Sequence, residues 1–318
     1  MQRLAKSALL FIAIGLALYA GVYYAAERLM FHTGRSNPFF KIAVTQEATF
    51  DWVILGASHA MPLDFGDFNA LMQGETGLRI LNLASPGTGP LYNRFVLEHF
   101  LRAHRAKNVL YVVDSFAFYS RSWNEERFAD AKLLRRTPLE PAIAALFFDY
   151  VRHEGVDPRA LLDYVAGFSK INNRERFAPD VWEGEAQFDR VYRPSASAVK
   201  KRMAYLYPDK TAAAALDRYL AALATTVATA RQSGANVVII KMPTPSQYRS
   251  QLPEEATFDS ALSRLLAAEQ VQLHDFSQSI DAPQFYFDSD HLNRDGLGRF
   301  FARDLKPVLV PAGTEQMR

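Results

Sequence analysis

The sequence predicts an α/β protein: a three-layer α/β/α sandwich around a mostly parallel, flavodoxin-like sheet of five strands, preceded by a transmembrane helix. Three observations predict it. Short apolar runs alternate with longer amphipathic ones, as strands and crossover helices do. The short runs are apolar throughout rather than alternating with polar residues, as strands buried on both faces are. The first long run carries no charge at all.

That run is Ser7 to Ala26, twenty residues reading SALLFIAIGLALYAGVYYAA. At the helical rise it spans roughly 30 Å, the thickness of a bilayer's hydrocarbon core. Tyr19, Tyr23 and Tyr24 gather toward its far end, where an interfacial aromatic belt would sit, and Arg3 and Lys6 precede it. By the positive-inside tendency residues 1–6 are a cytoplasmic tail, 7–27 a signal-anchor in a bacterial inner membrane, and the rest extracytoplasmic. Glu27 and Arg28 cancel on the far flank. A cleaved signal peptide is the rival reading, but its small-x-small site belongs after a shorter apolar stretch, and here Gly15-Leu16-Ala17 lies inside the run. Either reading exports the remainder.

Residues 28–49, with Gly34, Asn37 and Pro38, read as a linker. The strands follow at Phe50–Leu55, Leu78–Leu83, Asn108–Val113, Asn236–Ile240 and, more weakly, Val271–Phe276. Helical patterns fill the intervals at Leu91–His104, Ala212–Gln232 (closed by Gly234) and Phe258–Glu269, and a last helix is expected over Arg294–Lys306, stopped by Pro307. The domain thus runs over 50–306, leaving 307–318 as a tail. About 120–210 has no clear strand and is too long for a plain loop, so it reads as a mostly helical insertion.

Composition narrows the function. Of 318 residues 36 are basic and 34 acidic, and removing Arg3 and Lys6 leaves the remainder neutral, with no electrostatic pull toward nucleic acid. With no cysteine the chain has no disulfide, thiolate nucleophile, zinc–cysteine site or lipoprotein-type acylated Cys.

Three motifs follow strands, at the edge where α/β sheets hold ligands. Gly56-Ala57-Ser58-His59 follows the first. A serine there exposes its hydroxyl at the rim and lets backbone N–H groups face an oxyanion; equally, serine is a common cap or turn residue. Asp288-Ser289-Asp290-His291-Leu292-Asn293 precedes the last helix. A serine needs a base, and an imidazole serves best when a carboxylate fixes its tautomer. Asp288 can curl back to His291 within one turn, whereas Asp290 is expected to point away. A surface turn, a metal site, and an N-cap role for Asn293 are the other readings. Asn82 to Pro90 (NLASPGTGP) follows the second strand, and its glycines either bring backbone N–H groups close to a substrate oxygen or form an ordinary turn. Its spacing matches neither a dinucleotide fingerprint nor a P-loop.

In this order the motifs resemble the SGNH (GDSL-like) hydrolase superfamily, over roughly residues 50 to 306. Ser58 matches the first block, Asp288 and His291 the final Asp-x-x-His, and Gly87 the oxyanion glycine of the second. The anchor, the large insertion and the DxxHLN ending are similar to DltD-type proteins of cell-surface polymer acylation, which work beside a membrane-bound O-acyltransferase. The third block departs: Asp114 stands where the family places an Asn donor, and the first reads Gly-Ala-Ser-His rather than Gly-Asp-Ser. The resemblance implies a Ser58–His291–Asp288 triad, an oxyanion hole from the N–H groups of Ser58 and Gly87, an acyl donor and a polysaccharide acceptor, and no metal or organic cofactor. Esterase, deacetylase and non-catalytic scaffold for an acyltransferase remain open. Weaker substrate contacts are His59, Asp114 and Asn293. The loop Pro243 to Arg249 belongs on the same rim; His274 reads as a packed strand residue. Phe116 to Tyr119 and Trp123 either stack on sugars or pack. Arg135-Arg136 and Lys200-Lys201-Arg202 read as solvated faces.

Overall fold

A computed structural model describes residues 2–33, 35–178 and 180–310. Gly34 of the expected linker and residues 311–318 of the expected tail lie outside them. The chain divides into two compact units, Met1–Ala43 with Phe128–Asp180, and Val44–Arg127 with Val181–Arg318. The expected insertion is therefore not one piece. Its middle groups with the N-terminal helix, and its two flanks group with the sheet.

In the first unit the apolar helix runs over Gln2–Thr33, past the expected end at residue 27, because Leu29, Met30 and Phe31 continue the pattern. It is long and apolar enough to cross a membrane. Leu4, Leu9, Leu10, Phe11, Leu16 and Leu18 are all more than half exposed along it, as lipid-facing side chains would be. The tyrosines differ from a simple aromatic belt. Tyr19 and Tyr23 donate to the carbonyls of Ala166 (2.7 Å) and Tyr164 (3.2 Å), and Glu27 pairs with the buried Lys170 instead of cancelling Arg28. The linker is also more ordered than expected: Pro38–Val44 is helical, and Asn37 Oδ1 accepts from the N–H groups of Phe39 and Phe40. Arg136 is buried against Asp180 (3.4 Å) rather than solvated.

The second unit holds one sheet built from Thr49–Leu55 (β1), Ile80–Asn82 (β2), Arg105–Val112 (β3), Asn236–Lys241 (β4) and Gln272–Asp275 (β5). The order is β2-β1-β3-β4-β5 and every pairing is parallel. β2 is shorter than its apolar run because Arg79 N–H donates to the Asp51 carboxylate (2.8 Å) at the strand's entrance. Trp52, Ile54, Leu110, Val112 and Ile240 face the helices Phe68–Thr76 and Arg294–Phe300 in one apolar cluster. The helices Pro90–Ala103 and Ala213–Gln232 pack on each other, the second also on β4, and Phe50 meets Phe100 at 6.0 Å. His274 sits half-buried on β5, stacked on Phe276, as expected of a packed residue. Phe116, Phe118, Tyr119 and Trp123 are buried, so packing, not sugar stacking, is their role.

Pro307 does not stop the last helix. A π-helical turn over Phe301–Leu305 widens the hydrogen-bond ladder before it, and Pro307 begins a further turn, Lys306–Leu309, where its missing N–H is not needed.

With this order the strands are added first on one side of β1 and then on the other, so the crevice for a ligand lies beyond the carboxyl ends of β1 and β3. Gly56 makes the approach possible. Its φ of 146° is a backbone region that L side chains rarely adopt, and a Cβ there would lie 2.8 Å from Val112 O. Gly56→Ala is therefore expected to cost roughly 2–4 kcal/mol, read as a lowered unfolding temperature of the full chain in detergent. An unchanged transition would contradict this account of the turn.

Candidate active site

Ser58 follows Gly56 in a turn closed by Ala60 N–H to Ala57 O (3.2 Å) and Met61 N–H to Ser58 O (3.3 Å). The loop after β2 is tied to the same turn: Gly56 O accepts from Ser85 N–H (3.3 Å) and Thr88 Oγ1 (3.0 Å). Asn93, buried at the start of Pro90–Ala103, locks both together. Its Oδ1 accepts from Gly56 N–H (3.0 Å), and its Nδ2 donates to Thr88 O and Gly89 O. Gly87 has φ 63°, and a Cβ on it would press into the Trp123 ring. Among the described residues, the N–H groups of Ser58 and Gly87 and the Ser58 hydroxyl have no hydrogen-bond partner.

The Asp288 segment is a closed turn. Phe287 N–H donates to His291 O (3.0 Å), and Asp288 Oδ1 accepts the N–H groups of Asp290 (3.0 Å) and His291 (2.8 Å). That curl brings Asp288 Oδ2 to 2.8 Å from His291 Nδ1, the expected contact. The His291 ring is then held between Phe287, stacked at 5.4 Å, and the edge-on Trp182 ring, also at 5.4 Å. Nδ1 on the carboxylate leaves Nε2 as the ring nitrogen turned away from it.

Three expectations need correction. Asn293 is no substrate contact: its Oδ1 caps the last helix on Gly296 N–H (2.9 Å), and its Nδ2 donates to the carbonyls of Arg190 and Gln284. Asp290 does not point away. It is wholly buried, with Oδ1 on Ser289 Oγ (2.6 Å) and Oδ2 on Arg202 Nε (2.9 Å) and Nη2 (2.8 Å). Arg202 is therefore no solvated residue; the helix Ala196–Leu206 delivers it into the site, and its Nη2 lies 3.4 Å from His291 Nε2. His291 Nε2 thus faces a guanidinium, and among the described residues no hydrogen bond joins it to Ser58.

His59 and Asp114 also do more than line a rim. His59 Nδ1 lies 2.6 Å from Asp114 Oδ1, and Nε2 lies 3.2 Å from Asp290 Oδ2 without the alignment of a hydrogen bond. Its ring is 4.8 Å from that of His291. Burial alone would discharge this imidazole, but the carboxylates of Asp114 and Asp290 outweigh it and push the pKa up to about 10. Burial likewise opposes the charge on Asp290, yet Arg202 foremost, with His291 and His59, holds it well below the usual carboxylate range. Ser58's neighbour is thus a fixed cation, and Asp114, standing where an amide donor was expected, accepts instead.

His59, Asp290 and His291 also place metal-ligand atoms within 4.8 Å of one another. The Arg202 guanidinium already pairs with Asp290 among them, so a divalent ion there would have to displace a held cation. Beside this cluster, a cavity of about 240 Å³ opens at the carboxyl ends of β3, β4 and β5, lined by His59, Asp114, Lys241, Thr244, Tyr248 and Glu255. The Pro243–Arg249 loop therefore reaches the rim as expected. Sequence reasoning missed Asn93, Asp290 and Arg202. Only Asp290, inside a motif already singled out, carried a local signal.

No family model and no curated protein matches the chain. Solved structures with a similar course of the backbone include a candidate acylhydrolase of Bacteroides fragilis NCTC 9343, at 9% identity, covering 85% of this chain and 95% of that one, with a TM-score of 0.43. A GDSL-like lipase of Bacteroides thetaiotaomicron VPI-5482 stands at 9% identity, 85% and 93% coverage and a TM-score of 0.42. TesA stands at 14%, 83% and 98%, and 0.38.

The His59 pair has a pH signature. A histidine whose folded pKa is raised from 6.5 to about 10 contributes stability that is fully present below about pH 6.5 and is lost as pH rises through about 10. Replacing His59 with Gln removes one partner of a buried pair, at a cost of roughly 3 kcal/mol near neutrality. The deficit relative to wild type should shrink steadily in denaturant unfolding from pH 7 to pH 10. A deficit constant over that range would show that His59 is not held as a cation.

Proposed function

We propose that the chain is a membrane-anchored serine acyltransferase or esterase that removes or transfers an acyl group, acetyl in the simplest case, through Ser58, His291 and Asp288. The observation that carries the reading is the Asp288–His291 pair, its Nε2 turned away from the carboxylate, on the same rim as a serine whose hydroxyl and N–H have no competing partner. Ser58 Oγ attacks the acyl carbonyl as His291 Nε2 takes its proton, and Asp288 holds the ring and balances the imidazolium. The N–H groups of Ser58 and Gly87 receive the oxyanion. Collapse expels the leaving oxygen, which takes the proton back from His291. Water or a hydroxyl then accepts the acyl group by the same steps.

The anchoring helix, with Arg3 and Lys6 at its start, supports an inner-membrane protein with its N-terminus in the cytoplasm and the site outside. There the acceptor we infer is a cell-envelope or exported polysaccharide, with a multi-pass O-acyltransferase as the source of acyl groups. A non-catalytic scaffold is the second reading, favoured by one observation: His291 Nε2 lies 3.4 Å from Arg202 Nη2, and among the described residues it makes no hydrogen bond to Ser58.

Hydrolysis of p-nitrophenyl acetate and labelling by a fluorophosphonate decide between them. Ser58→Ala and His291→Ala should each lower kcat by roughly 10³-fold or more, the double variant no further, and Asp288→Asn by roughly 10²–10⁴-fold. Wild-type labelling that persists in Ser58→Ala, or a wild type that neither labels nor turns over, would overturn the triad.

A further inference from the structure

We propose that Arg202, carried by the helix Ala196–Leu206, is a catalytic residue of this site, whose guanidinium receives the negative charge developing on the substrate carbonyl oxygen. The inference rests on Ser58 and His291 acting as nucleophile and base. Asp114, after β3 on the same rim, offers no donor: its Oδ1 is engaged with His59 at 2.6 Å.

Arg202 fits the task by position, anchoring and spare capacity. Its Nη2 lies 3.4 Å from His291 Nε2, the atom that takes the proton in this reading. Asp290, itself fully buried, grips Nε at 2.9 Å and Nη2 at 2.8 Å through a single oxygen, fixing one edge of the fork. The other edge, Nη1, makes no hydrogen bond among the described residues, and the side chain keeps 20% of its surface open. A guanidinium anchored on one edge and open on the other is suited to an oxyanion. Neighbouring Lys200 and Lys201 point to solvent, so the placement belongs to this residue and not to a basic patch.

In the chemical step the Ser58 O–H bond breaks as Oγ bonds to the acyl carbon, and the proton passes to His291 Nε2. The carbonyl π pair moves onto oxygen, which is met by the N–H groups of Ser58 and Gly87 and by Arg202 Nη1. For Nε2 to take that proton its lone pair must be released by Arg202 Nη2, which stays on Asp290 Oδ2 while Nη1 turns to the new anion. On collapse the C=O bond re-forms, the bond to the leaving oxygen breaks, and that oxygen takes the proton from His291. Arg202, alone of the helix's basic run, is then part of the catalytic apparatus.

The test compares wild type, Arg202→Met, Arg202→Lys and the exposed control Lys200→Ala, all as full chains in detergent with p-nitrophenyl acetate. Arg202→Met should lose roughly 10²–10³-fold in kcat with KM within about threefold. Arg202→Lys, which keeps charge without the fork, should recover at least about tenfold of that, and Lys200→Ala should match wild type. Should Arg202→Met fail to fold, Arg202→Lys still decides, with kcat about tenfold below wild type at unchanged KM. Wild-type kcat in Arg202→Lys, a loss confined to KM, or a rise in kcat on removing Arg202 as for an inhibitory latch, would each overturn the proposal. A silent wild type would sink the nucleophile reading and this inference together, whereas an active wild type matched by Arg202→Met sinks this inference alone.

Discussion

A carboxylate with no exposed surface sits at the centre of this site, and much of the architecture answers its presence. Left alone, buried Asp290 would cost several kcal/mol in lost hydration. Arg202 meets it from one side and His59 from another, and each is drawn from a different part of the chain. His59 comes from the turn after β1, Arg202 from a helix more than eighty residues before the Asp, and the Asp from the loop ahead of the last helix. One charge therefore ties the sheet's first crossover, part of the insertion and the C-terminal motif to a common point. Packed against that point, the His291 ring has little freedom to be anywhere else.

The same electrostatics distinguish the two histidines. His59 has a carboxylate close to each nitrogen and is held as a cation, unsuited to taking a proton. His291 has Asp288 on Nδ1 and a cation, not a carboxylate, nearest Nε2. Two adjacent rings 4.8 Å apart thus differ in what their surroundings allow. Counting Asp114, Asp288 and Asp290 against His59 and Arg202 leaves one negative charge in excess, the balance that an imidazolium at His291 would complete.

Most of the scaffold was legible in the sequence, since buried parallel strands announce themselves as unbroken apolar runs and their helices by period and by closing residues such as Gly234. The helix ends that slipped did so for local reasons: a π-turn absorbs Pro307, and Leu29 to Phe31 prolong the anchor. Within the candidate site, the Asp288–His291 contact was legible because a turn of three residues makes it. Asp290 was misplaced by the rule that neighbouring side chains diverge; a tight turn together with two distant cations overrode it. Arg202 left no trace, because Lys-Lys-Arg on a helix looks the same whether the third residue meets water or a buried carboxylate. The split of the insertion was equally hidden, depending on tertiary pairs such as Glu27 with Lys170.

The direct measurement of this account is an NMR titration of the histidine ring nitrogens in the full chain. The account predicts that His59 stays doubly protonated, with a slowly exchanging Nδ1 proton shared with Asp114, from neutrality to above about pH 9, and that Asp114→Asn abolishes this state. A His59 ring titrating near the ordinary value of about 6.5, unaffected by Asp114→Asn, would contradict it.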